Sequence, residues 1–328
     1  MQRVPLGNRE PVEQGPPILF DYGRFDIPAN IDLEIYFAAH MTEADLPAKK
    51  ELKQIFRNSD IVVIEAEGAD QTEEVLLNRL SQGDPQARQA VNAWIDIAKK
   101  RGIQAGWKEV FYDALEGSGI AVASPDLLIG HPLTPRRHET SLQIDSISLH
   151  SDFDFAVNSA AELWARRLKL MSRRDQYILE HLAPSIDHTV AKSSELTEKR
   201  AKQPLRAVMF YGSDHLSLFD ALTQKAVMSE PVGFSVVPNH ERDGRPVSQE
   251  VYGNYLRGID PNLYDIARLT TTLAFSALYH KMMDQVGLQG PWRDTELRIK
   301  EELAGSDYEE LRAKRDEALV AIEAIKRQ

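Results

Sequence analysis

The sequence contains no cysteine. Disulfides, thiolate zinc sites, iron–sulfur clusters and cysteine nucleophiles are therefore excluded, and any metal must be held by His, Asp, Glu or carbonyl oxygen. Long apolar runs are missing too. The longest, Leu269 to Tyr279, falls short of the roughly 20 residues a membrane helix needs and is interrupted by Thr270, Thr271 and Thr272. There is no excess of positive charge: Lys and Arg number 39 against 50 Asp and Glu, a net charge of -11. That balance argues against a nucleic-acid partner, because phosphate contacts need clustered Lys and Arg. No G-x-S-x-G elbow, P-loop or G-x-G-x-x-G fingerprint occurs, which removes the usual support for serine hydrolases and nucleotide binders. Met1 to Pro17 is polar and rich in Pro and Gly, without the apolar core of a signal peptide. The expectation is a cytoplasmic protein with no membrane span.

With 42% hydrophobic residues over 328, the chain can bury a sizeable core. Residues 1–30 read as an extended leader carrying Pro5, Pro11, Pro16, Pro17 and Pro28. Ile31 to His40 is an apolar run rich in strand formers, followed by a helix whose apolar stripe is Leu52, Ile55 and Phe56. Asp60 to Gly68 (DIVVIEAEG) is a continuous apolar run of strand length, as expected of a strand covered on both faces of a parallel sheet. Helices are predicted over Thr72 to Arg101, broken near Gly83 to Pro85, and over Trp107 to Leu115. Strands are predicted at Gly119 to Ser124, Leu205 to Tyr211 and Gly233 to Val237, with a helix over Leu216 to Ala226. A long helix is predicted from Asp152 to Leu182, while Gly130 to Asp145 reads as a loop and Lys192 to Gln203 as a linker. Residues 261–328 read as a helical extension packed on the 31–260 domain, or pairing two copies of the chain through Asp294 to Gln328. Strands alternating with helices imply an α/β fold with a central, mainly parallel sheet flanked by helices.

Two segments share a layout: IYFAAH, a helix and DIVVIEAEG; then VMFYGSDH, a helix and GFSVVPN. Each places an aromatic-rich strand before a histidine. Ligands of open α/β sheets bind beyond the carboxyl ends of the strands, where His40, Glu65 and His215 fall. Either histidine alone would as readily cap a helix; two at equivalent points suggest one cleft. Glu65 interrupts an apolar run in which an unpaired carboxylate would be costly. Strand alternation puts Glu65 and Glu67 on one face, above Ile61 and Val63. In the long helix, Val157, Ala161, Trp164, Leu168, Met171, Ile178 and Leu182 form a stripe that skips one slot, at Arg174 or Asp175. A charge in a buried stripe needs a carboxylate or a bound anion as partner.

Four stretches in this order resemble the TraB/PrgY family and its Tiki, GumN and ChaN (erythromycin-esterase-like) relatives. YFAAHMTEADLP (Tyr36 to Pro47) is similar to that superfamily's first G-x-x-H element and SDIVVIEAEG (Ser59 to Gly68) to its glutamate strand. SRRDQYILEHL (Ser172 to Leu182) is similar to its arginine helix, and AVMFYGSDHLSLFDAL (Ala207 to Leu222) to its second G-x-x-H element. Phe37 stands where the first motif has glycine, and Arg173 where the arginine helix has glutamate. The resemblance implies catalytic residues His40, Glu65, Arg174 and His215. It further implies that His40, Glu65 and His215 hold a divalent metal (Mn, Co or Zn), with Arg174 and Gly212 binding substrate; Glu67, on the same strand face as Glu65, is a further candidate for substrate binding. A metal-dependent hydrolase of a peptide or ester bond is then expected. The alternative is a ligand-binding or signalling module for a peptide or haem in the same cleft; haem would need an axial tyrosine or histidine.

Overall fold

The computed structural model describes residues 29–38, 49–65, 71–100, 106–127, 130–212, 215, 218, 234–238, 247–256, 258–286 and 292–327. Its centre is a five-stranded, all-parallel sheet made of β1 (Ile31–Ala38), β2 (Ile61–Ile64), β3 (Ala121–Ala123), β4 (Leu205–Gly212) and β5 (Phe234–Pro238). The strand order is β3-β2-β4-β1-β5. The strands that open the two repeated segments, β1 and β4, lie side by side in parallel from Ile31↔Leu205 to Ala38↔Gly212. The fold is α/β, with helices flanking the sheet and a helical C-terminal region.

Period-2 alternation assigns each strand residue to one of two cores. Ile61 and Val63 of β2 and Ala207, Met209 and Tyr211 of β4 face a long helix, α6 (Phe153–Ala191), against its Ile178, Leu182 and Ile186. Val62, Ile64, Val208 and Phe210 face the other way. There they meet α1 (Lys49–Arg57), α2 (Gln71–Ser81), α3 (Pro85–Lys100) and α4 (Gly106–Leu115). Phe56 is the hub of that second core, with ring centroids 5.2 Å from Phe111 and 5.8 Å from Phe210, both edge-on. A strand covered on both faces has no polar side to show, which is why β2 reads as an unbroken apolar run.

A third core is wholly helical. It joins α5 (Leu133–Ser148) and the first half of α6 to α8 (Val247–Leu256), α9 (Leu263–Val286), α10 (Trp292–Leu303) and α11 (Tyr308–Lys326). The stripe of α6 thus serves two cores: Val157, Trp164 and Leu168 belong to the helical one, Ile178 and Leu182 to the sheet. The skipped slot falls where the helix passes from one to the other. α11 turns Leu311, Ala318 and Ile322 inward together with Arg315, whose guanidinium is fully buried. Arg315 donates from Nε and Nη2 to the Ser148 carbonyl at 3.1 and 2.8 Å, and also to the His150 carbonyl, so it closes the end of α5. Among the described residues no helix is long and apolar enough to cross a membrane.

Several expectations need correction. Gly130 to Asp145 is not a loop, since α5 spans Leu133–Ser148 with Pro135 in its first turn, where the missing N–H has no intrahelical acceptor anyway. Lys192 to Gln203 is not a linker but carries α7 (Ser194–Lys202), capped by the Ser193 side chain accepting from the Leu196 N–H. α6 continues past Leu182 and through Pro184 to Ala191, because Ile186 and Val190 are still buried under the sheet. The predicted helix over 216–226 lies outside the described residues, Leu218 excepted, as does most of the leader. Replacing Phe56 with Ala empties the centre of the second core and is expected to cost about 3–5 kcal/mol. Urea unfolding of the purified variant measures this, and a loss below about 1 kcal/mol would contradict the packing described.

Candidate functional site

Beyond the carboxyl ends of β2, β3 and β4, five charged side chains form a continuous line. Glu65 is the first residue after β2. The register Ile64↔Phe210 sets it level with Tyr211, on the face that carries Ile61 and Val63. Asp126 follows β3 after a short turn, and Arg174 and Asp175 come from α6. His215 follows β4, its own N–H donating to the Gly212 carbonyl at 3.1 Å.

The line begins at Asp126. Arg174 donates from Nε to Asp126 Oδ1 at 2.9 Å and from Nη2 to Asp126 Oδ2, and the same Nη2 reaches Glu65 Oε1 at 3.0 Å. Glu65 Oε1 also lies 3.2 Å from His215 Nε2, and its Oε2 accepts the Gly212 N–H at 2.8 Å. His215 Nδ1 is 2.5 Å from Asp175 Oδ1. Asp175 Oδ2 accepts from the Tyr252 hydroxyl of α8 at 3.3 Å and the Leu218 N–H at 3.4 Å. Gly212 permits the close approach: a Cβ there would stand 3.0 Å from Glu65 Oε2, a carboxylate already fixed from two other sides.

Charges this deep persist only when paired. The side chains of Asp126, Asp175, Arg174 and His215 are 0%, 1%, 3% and 6% exposed, against 23% for Glu65, so the line meets solvent at Glu65. Burial alone would lower the pKa of His215. The carboxylates of Asp175 and Glu65 outweigh burial and the repulsion of Arg174, and push it up to about 9. The imidazole is thus a cation at neutral pH, donating to a carboxylate from each nitrogen.

Of the residues expected from the sequence, Glu65, Arg174, Gly212 and His215 come together here. His40 and Glu67 lie outside the described residues. The Gly212 N–H and the Arg174 Nε and Nη2 are directed at Glu65 and Asp126. Sequence reasoning overlooked Asp126, which carried the same signal as Glu65, an acid just past an apolar strand. It named Asp175 only as the alternative occupant of the skipped slot, whereas both Arg174 and Asp175 are buried. For Tyr252 no signal existed, since its hydroxyl matters only through the packing of α8 on α6. Among the described residues no three His, Asp or Glu side chains gather to hold a metal ion. Glu65 and His215 bond each other, and Arg174 occupies the same Glu65 oxygen, so the described donors alone do not fit a divalent metal.

Two outcomes are expected. Arg174→Met strands the buried Asp126 and the half-buried Glu65 without their guanidinium and should cost about 3–5 kcal/mol, read by chemical denaturation. His215 is raised from 6.5 to about 9 in the folded chain, so its contribution to stability is fully present below pH 6.5 and is lost as pH rises through about 9. Denaturation midpoints across that window should fall in the wild type and stay flatter in His215→Gln; parallel curves would refute the pairing. No protein-family model matches the chain, and no curated protein or solved structure matches it either.

Proposed function

We propose that this cluster is the acid–base centre of a TraB-like hydrolase acting on a peptide or ester bond. The observation that carries the reading is the line Asp175–His215–Glu65, a buried imidazolium held between two carboxylates, of which the outer one meets solvent. In such a centre the Glu65 carboxylate takes a proton from water as its oxygen adds to the substrate carbonyl. The His215 Nε2–H then protonates the departing amine or alkoxide, and Asp175 holds the imidazole ring in place and balances its charge. Arg174, bonded to Glu65 Oε1, keeps that carboxylate aimed. Water is added across the bond and no oxidant or reductant is needed.

A divalent ion enters this reading only with His40, the third ligand that the resemblance implies, and assays belong both with and without Mn²⁺, Co²⁺ and Zn²⁺. The second reading is a binding or signalling module for a peptide or haem. It is favoured by the internal pairing of Glu65, whose two oxygens already accept from Arg174, His215 and Gly212.

Peptide and ester libraries, assayed by mass spectrometry, separate the two. For a hydrolase, Glu65→Gln and His215→Gln each lower kcat by about 100- to 10,000-fold while the protein stays folded. Binding of a peptide without turnover, weakened by the same substitutions, would support the module instead.

A further inference from the structure

Tyr211 lies against the cluster and its hydroxyl takes no part in the cluster's hydrogen bonds. It is the penultimate residue of β4, fully buried, and faces α6 level with Glu65. Its ring centroid is 5.3 Å from that of His215 with the planes at 85°. Asp126, Arg174, Glu65 and Asp175 all act on its phenol, which burial first and the carboxylates second keep protonated well above the ordinary tyrosine range. Among the described residues its hydroxyl has no hydrogen-bond partner. A buried, unpartnered hydroxyl costs stability, so the advantage of this side chain lies in its ring.

The His215 imidazole satisfies both carboxylates in one orientation only, with Nδ1 toward Asp175 and Nε2 toward Glu65. Rotation about the Cβ–Cγ bond would break both contacts at once. A rigid ring standing perpendicular to the imidazole, and itself wedged between β4 and α6, opposes that rotation. We propose that Tyr211 is a positioning residue for His215, acting through its aromatic ring and not through its hydroxyl. The inference deepens the acid–base reading of the cluster, but it can fail independently of it.

The buried bond between His215 Nδ1 and Asp175 gives a direct readout, because a proton held in a solvent-shielded, charge-assisted N–H···O bond resonates far downfield and exchanges slowly. The experiment is proton NMR of the full-length wild type, His215→Gln, Tyr211→Phe and Tyr211→Leu at one neutral pH, with far-UV circular dichroism to confirm folding. The wild type should show a downfield proton that His215→Gln abolishes. Tyr211→Phe should retain it, with a thermal midpoint equal to or above that of the wild type, and Tyr211→Leu should lose it while remaining folded. If Tyr211→Leu fails to fold, Tyr211→Met refills the volume with a flexible chain and should lose the signal likewise. Loss of the signal in Tyr211→Phe would show the hydroxyl at work and overturn the proposal. So would its survival in a folded Leu or Met variant, or its absence from the wild type. Hydrolytic activity enters none of these outcomes, so failure of the hydrolase reading is judged separately.

Discussion

The guanidinium of Arg174, held between Asp126 and Glu65, is the interaction on which the rest of the cluster depends. It comes from α6 at the point where that helix leaves the helical core and passes beneath the sheet. Its partners follow the ends of two different strands, so one side chain ties α6 to β2 and β3 together. Without it, Asp126 and Glu65 would be two carboxylates at the end of an apolar sheet with no cation between them. A buried ion pair is weak evidence for stability but fixes geometry strongly, because each partner is satisfied in one arrangement only.

The second half of the cluster is built on the same helix, one residue further on. Arg174 and Asp175 are adjacent in sequence and face different partners, one cationic arm toward Asp126 and Glu65, one carboxylate toward His215. Tyr252 reaches Asp175 from α8, so the helical core also touches the line of charges. Sheet, long helix and helical core therefore meet at the cluster, with Glu65 its most exposed member.

Much of this was legible in the sequence for identifiable reasons. β2 and β4 are covered on both faces, so they stand out as apolar runs, and a glutamate ending one such run is conspicuous. The skipped slot in the α6 stripe was visible because the stripe is long and regular on either side of it. α5 was misread because it carries Pro135 in its first turn and buries only Thr140, Ile144 and Ser148, too few to form a stripe. α7 was misread because none of its residues is buried, so no apolar period exists to detect; its Ser193 cap was the one usable sign. Arg315 carries no local sign of burial in the sequence, and only the end of α5 beside it explains why it is buried.

From sequence alone came the parallel α/β class, the apolar run that Glu65 interrupts, the anomalous charges of α6 and the histidine that follows β4. These are local signals, carried by periodicity and by the cost of a charge among apolar neighbours. Tertiary structure decided which charges face one another. Arg174 pairs with Asp126, 48 residues earlier in the chain, and His215 with Asp175, 40 residues before it. Those pairings depend on the strand order β3-β2-β4-β1-β5, which brings the ends of β2, β3 and β4 together over one turn of α6. No local pattern encodes that order; it follows from how the two faces of the sheet are covered.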